Sequence, residues 1–169
     1  MKRADIEAIA RALNDASVPF IVVGGLAVIA HGYGRLTQDV DLVVRLDTEA
    51  IRRAFRALSA LGYAPVVPVT VDVFSDAAQR ARLIAEKNMT VLSFHSDAHR
   101  ETRVDVFASE PFDFADEFRH ALVEEVAPGV PIRIVRLSTL IRLKRTAGRP
   151  QDLADIDELR RAAEDRLDA

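Results

Sequence analysis

The sequence predicts an α/β (α+β) chain: a mixed β-sheet flanked by helices, with a helical C-terminal extension. Three observations predict it. Segments with apolar residues at helical spacing alternate with short Val- and Ile-rich runs. Glycine- and proline-bearing breaks separate them. About half of the 169 residues are apolar, enough for one sizeable core. Residues 1–110 are expected to form this core. Residues 111–169 are expected to add a strand and helices packed on it as one compact unit.

The elements follow in order. Ile6, Ile9, Ala10 and Leu13 recur at helical spacing, Pro19 ends the connection, and Phe20 to Val23 read as a buried strand. A short helix is expected from Leu26 to about His31, broken by Gly32-Tyr33-Gly34 before a strand from Asp39 to Val44. Ile51, Phe55, Leu58 and Leu61 mark the next helix, with Gly62 as its C-terminal stop and Ala64 to Val71 extended. Ser75 or Asp76 would cap a helix running to Glu86. Asn88 to Phe94 and Thr102 to Ala108 read as a hairpin across the polar link 96–100. The tail reads as helical apart from a strand at Ile132 to Val135, with Gly148 ending one helix and Pro150 opening the next.

Composition narrows the function classes. Without cysteine there is neither a disulfide framework nor a thiolate zinc site, and a reducing cytoplasm is the expected home. Nothing resembling a signal peptide precedes the first helical pattern, and no apolar run approaches the roughly 20 residues of a membrane span. The four histidines have no zinc-site spacing. The net charge of −3 does not advertise nucleic-acid binding. Yet Arg133, Arg136, Arg142, Lys144, Arg145 and Arg149 form a local basic stretch, able to attract phosphates or to lie as a solvated helix face. Phe112, Phe114 and Phe118 are expected to pack the tail on the core.

Chemistry concentrates in two places. Asp39 and Asp41 stand two apart on a strand, so both carboxylates leave the same face while Val40 and Leu42 leave the other. Two like charges on an apolar strand require water, a basic partner or a cation, and one or two carboxylates with phosphate oxygens suit magnesium. Gly24-Gly25, closing the preceding strand, lets the backbone approach a phosphate at the start of a helix. A third carboxylate has two candidates in near-identical settings, Val71-Asp72-Val73-Phe74 and Val104-Asp105-Val106-Phe107. Asp105 is preferred because it lies within a strand whose neighbours face away from it. Lys144 falls on the apolar stripe formed by Leu137, Leu140, Ile141 and Ala147, so it either snorkels or meets a buried anion. Asp152 and Asp155 could complement a helix dipole, or orient Lys144 or Arg149.

The stretch from Phe20 through Gly24-Gly25, Ala27, His31-Gly32, Arg35 and Thr37 to Asp39-Val40-Asp41-Leu42 resembles the opening signature of the DNA polymerase β-like nucleotidyltransferase superfamily. Together with residues 143–156, from Leu143-Lys144 to Asp155-Ile156, it is similar to the AbiEii-type toxin branch and its small uncharacterised relatives. The resemblance implies a nucleotidyltransferase-like fold and metal-dependent transfer of a nucleoside monophosphate from an NTP such as ATP to an acceptor hydroxyl. It implies that Asp39, Asp41 and Asp105 bind two Mg2+ (or Mn2+) ions and are catalytic. It also implies that Gly24, Gly25, Arg35, Thr37, Lys144 and Asp152 bind the nucleotide. The acceptor it implies is an RNA 3′ end such as that of tRNA, with a cognate antitoxin as partner and no membrane. The alternatives are nucleotidylation of a partner protein or of a small molecule, as in antibiotic modification, and a nucleotide-binding module without turnover.

Overall fold

The sheet is organised around two parallel strand pairs set among antiparallel neighbours. The structure, a computed structural model, describes residues 1–167. Its elements are α1 (Arg3–Asp15), β1 (Phe20–Val22), α2 (Gly24–Ala30), β2 (Asp39–Val44), α3 (Thr48–Ala60), β3 (Tyr63–Pro65), α4 (Val71–Ser75), α5 (Ala77–Lys87), β4 (Val91–Ser96), β5 (Arg103–Phe107), α6 (Phe114–His120), β6 (Leu122–Ala127), β7 (Val130–Ile134), α7 (Leu137–Ala147) and α8 (Pro150–Leu167). The seven strands lie in the order β3-β4-β5-β2-β1-β7-β6. β2 runs parallel to β5, and β1 parallel to β7; the other pairs are antiparallel. The fold is thus the mixed, helix-flanked sheet with a helical C-terminal extension that the sequence predicts.

Alternation along the central strands gives the sheet two different faces. Val40, Leu42 and Val44 of β2, Val104 and Val106 of β5, and Leu92 and Phe94 of β4 are buried. Asp39, Asp41, Arg103, Asp105 and Ser93 leave the opposite way and stay partly accessible. The apolar stripes of α1 (Ile9, Leu13) and α3 (Ile51, Leu58) join the buried residues in one core. Phe55 meets Phe94 edge-on at 5.1 Å and Phe74 at 5.8 Å. Phe94→Ala should therefore cost about 3–5 kcal/mol, measurable by urea unfolding at constant slope.

Several expected boundaries shift, each for a local reason. α2 begins at Gly24 itself rather than at Leu26, with Gly24 at φ +62°. The extended stretch expected over residues 64–71 shrinks to the edge strand β3. Pro65 and Pro68 lack ladder donors, and the Thr70 hydroxyl, accepting from the Val73 amide, starts α4 instead. Asp76, not Ser75, caps α5 by accepting from the Gln79 amide. Asn88, in the left-handed conformation at φ 51°, ends α5 and delays β4 to Val91. The tail holds a strand beyond the one expected. β6 pairs with β7 in a hairpin turned by Pro128-Gly129, a turn signal that a helical reading of Leu122 to Ala127 overlooks. Phe114 and Phe118 stack on one another at 5.5 Å, with Phe114 buried and Phe118 packed against the core.

Two buried carboxylates orient the elements that carry the site. Asp5 of α1 accepts from the Thr102 hydroxyl at 2.6 Å and lies 2.8 Å from His99 Nδ1, fixing the link into β5. Glu117 of α6 accepts from the Arg136 amide at 2.6 Å and the Thr139 hydroxyl at 2.8 Å, capping α7 from outside.

Candidate active site

The parallel pairing of β2 with β5 places Asp41 directly opposite Asp105, and Asp39 opposite Arg103. Adjacent strands lie about 4.8 Å apart, so the carboxylates of Asp41 and Asp105 are side-by-side neighbours. Asp105 Oδ1 is buried and has no hydrogen-bond partner among the described residues. Such an atom is normally satisfied, so its orphaned state marks a place for an external donor or cation. Burial pushes the Asp41 carboxyl up to about 6, assisted by the charges of Asp105 and Asp39 and opposed by the Gly25 amide and the charge of Lys144. Asp39 is drawn aside by Arg103, whose Nε donates to its Oδ1 at 2.9 Å. Among the described residues no three acidic or imidazole groups already converge as a metal cage. The Arg103 bond is the physical reason on the Asp39 side. Asp72, the rejected third carboxylate, lies on α4, exposed and paired with Arg52.

Gly24 and Gly25 sit against this group. The structure leaves no room for a side chain at either. A Cβ on Gly24 would overlap Asp41 Oδ2 and come within 2.5 Å of its Cγ. One on Gly25 would lie 2.5 Å from Thr37 Oγ1 and 2.8 Å from Arg35 Nη2. The glycine pair, Asp41, Thr37 and the head of Arg35 thus share one small space.

Lys144 is buried at 5% exposure, and the anion it meets is a pair of carboxylates from α8. Its Nζ donates to Asp155 Oδ2 at 2.6 Å and Asp152 Oδ1 at 3.1 Å. Asp155 also takes Gln151 Nε2 at 3.0 Å and lies 3.0 Å from Arg35 Nε, an ion pair with poor hydrogen-bond alignment. Asp152 takes Arg149 Nε at 2.6 Å. Burial raises the Asp152 carboxyl, but hydrogen bonds from Arg149 and Lys144 more than offset it and hold it below the usual range. The structure therefore gathers Gly24, Gly25, Arg35, Thr37, Asp41, Asp105, Lys144 and Asp152 around one end of β1, β2 and β5, with Asp39 turned toward Arg103.

Three of the six residues of the basic stretch are neutralised by carboxylates outside it. Arg136 is held by Asp116 and Glu117, Lys144 and Arg149 by the α8 aspartates, and Arg133 by the Phe118 carbonyl and ring. Arg142 and Arg145 remain exposed. Sequence reasoning did not find Arg103, although its position two residues before Asp105 places it on the carboxylate face. Beside it opens a cavity of about 520 Å³ lined by Met1, Gln38, Arg100, Glu101 and Arg103. No helix among the described residues is long and apolar enough to cross a membrane.

No protein-family model matches the chain, and no curated protein matches it. A solved structure does: the solution structure of the antibiotic-resistance factor ANT(2'')-Ia, a protein with substrate-regulated conformation dynamics, superposes with a TM-score of 0.54. The match covers 98% of this chain and 92% of that one at 16% sequence identity, a likeness of fold.

Proposed function

We propose that this protein transfers a nucleoside monophosphate from an NTP to an acceptor hydroxyl, releasing pyrophosphate, with divalent cations bound by Asp39, Asp41 and Asp105. The observation that carries the reading is the orphaned, buried Asp105 Oδ1 beside a protonation-prone Asp41, at a glycine pair with no room for a side chain. Three carboxylates on one face of the paired strands β2 and β5, one of them with an unsatisfied oxygen, suit hard, oxygen-seeking ions such as Mg2+ once Asp39 is released from Arg103. Such ions, when bound, would neutralise charge on the phosphates and favour ionisation of the acceptor hydroxyl.

The protein's own groups divide the remaining work. Gly24 and Gly25 let the backbone come close to the triphosphate, and Arg35, held at Gly25 by Asp155, offers it positive charge. Asp105, besides holding a cation, would accept or orient the acceptor's proton. In-line displacement requires attack from the side opposite the leaving pyrophosphate. The glycines lie on the β1 side of β2, so the acceptor would approach from the β5 side.

The resemblance to the AbiEii-type branch supports an RNA 3′ end, such as that of tRNA, as acceptor. A second reading, a small hydroxyl compound, is favoured by the fold likeness to an antibiotic-resistance factor and by the pairing of Arg136, Lys144 and Arg149 with carboxylates. The test is to incubate wild-type protein and Asp105→Asn with each labelled NTP, magnesium, total RNA and a cell lysate. Label is expected in one fraction with wild-type protein and at background with the variant. Equal labelling by both proteins, or none by either, rejects the assignment.

A further inference from the structure

Arg149 has no role in the site so far described, and its setting is unlike that of a surface arginine. Its side chain is 75% exposed, yet its partner Asp152 is only 2% exposed. Nε reaches Asp152 Oδ2 at 2.6 Å and Nη2 reaches Oδ1 at 3.3 Å, a two-pronged contact that fixes the plane of the guanidinium. Asp152 in turn shares Lys144 with Asp155, and Asp155 pairs with Arg35, whose Nη2 end lies against Gly25. A continuous line of alternating charge thus runs from the glycine pair to Arg149: Arg35, Asp155, Lys144, Asp152, Arg149. Both ends are arginines, and the line carries one more positive than negative charge.

Stability alone gives little reason for this arrangement. Lys144 already supplies a cation to both buried carboxylates, so a second cation from the exposed Arg149 is not needed to neutralise Asp152. Burying such a network also carries a desolvation cost that an apolar corner between α7 and α8 would avoid. What the arrangement does supply is a guanidinium fixed by two hydrogen bonds at Arg149, a second one ion-paired with Asp155 at Arg35, and one net positive charge.

We propose that Arg149 is a phosphate-binding residue, and that the triphosphate is gripped between Arg35 and Arg149, each held in place by a buried aspartate. In this arrangement Asp152 and Asp155 are positioning residues, and Lys144 is the buried cation that ties them together. The proposal rests on the nucleotidyl-transfer reading and adds a contact and a division of labour to it. The hydrogen bonds that Arg149 donates to Asp152 are the main cause of the upward shift of its guanidinium. The charge of Asp41 adds to that shift.

The test measures binding of each of the four NTPs, the four NMPs and inorganic tripolyphosphate to the full chain in magnesium. Arg149→Ala is expected to weaken NTP and tripolyphosphate binding by at least about tenfold, the scale of a charge-assisted hydrogen bond. NMP binding should stay unchanged and the protein should stay folded, because Lys144 still donates to the buried Asp152 carboxylate. Arg149→Lys should recover only part of the loss, since it restores charge without the two-pronged geometry. Asp152→Asn should weaken the same two ligands selectively although Arg149 is still present. Wild-type affinity for tripolyphosphate in Arg149→Ala, or an equal loss for NTPs and NMPs, would overturn the proposal. If wild-type protein binds neither NTPs nor tripolyphosphate, the nucleotidyl-transfer reading itself fails, and the proposal with it.

Discussion

Asp41→Asn is expected to abolish nucleotide transfer and, without divalent metal, to make the protein more stable at neutral pH. The carboxyl of Asp41 is raised from an ordinary 3.8 to about 6, by burial first and then by Asp105 and Asp39. A group that holds its proton more tightly in the folded state favours folding below its unfolded pKa. That contribution is lost as pH rises through the folded value. The window therefore runs from about pH 4 to somewhat above 6. A shift of this size corresponds to roughly 3 kcal/mol, as an order of magnitude. Asparagine stays neutral throughout and can still accept from the Gly25 amide. In EDTA, the wild-type protein should lose stability across this window, and the variant should lose less, ending up to roughly 3 kcal/mol more stable at pH 7.5. Adding Mg2+ should raise the wild-type midpoint and leave the variant nearly unmoved, because a ligand stabilises only the state that binds it. Urea unfolding at pH 5 and 7.5, with and without metal, checks each part. A variant less stable than wild type at pH 7.5 in EDTA would show that Asp41 has a structural partner instead.

How much of this was legible in the sequence depends on the range of the interactions involved. The alternation around Asp39, Val40, Asp41 and Leu42 is a local property of a strand, and the burial of Val40 and Leu42 follows it. Preferring Asp105 over Asp72 was also a local inference, since Asp72 stands beside a capping signal and occupies α4. The β6–β7 hairpin was missed because Leu122 to Ala127 has no clean alternation. Only the Pro128-Gly129 turn distinguishes it from the helix before it. Arg103 pairing with Asp39 depends on the parallel register of β2 and β5, which are separated by three helices and two strands and which no local pattern specifies. Lys144 is intermediate. Its place on an apolar stripe marked it as unusual, but its two carboxylate partners require the turn between α7 and α8 to bring residues 8 and 11 positions away onto it.

Gly24→Ala should also abolish transfer, but with the opposite effect on stability. Gly24 adopts φ +62°, where an L-residue is disfavoured by about 1–2 kcal/mol. A methyl group there also overlaps the Asp41 carboxylate, and overpacking of this kind typically costs a further 1–3 kcal/mol. The side chain cannot yield without moving Asp41 away from Asp105 or shifting the start of α2, and either change dismantles the candidate site. Gly129→Ala separates the two causes. Gly129 has a similar φ of +72° in the β6–β7 turn, but nothing lies within 4 Å of its would-be Cβ. It should lose only the conformational part, about 1–2 kcal/mol, and keep full activity. Asp41→Asn and Gly24→Ala would then share a loss of activity while moving metal-free stability in opposite directions, with Gly129→Ala destabilised but active. If Gly24→Ala behaved like Gly129→Ala, the close approach of the backbone to Asp41 would have no part in the chemistry. Parallel transfer assays and urea unfolding curves on the three variants decide this.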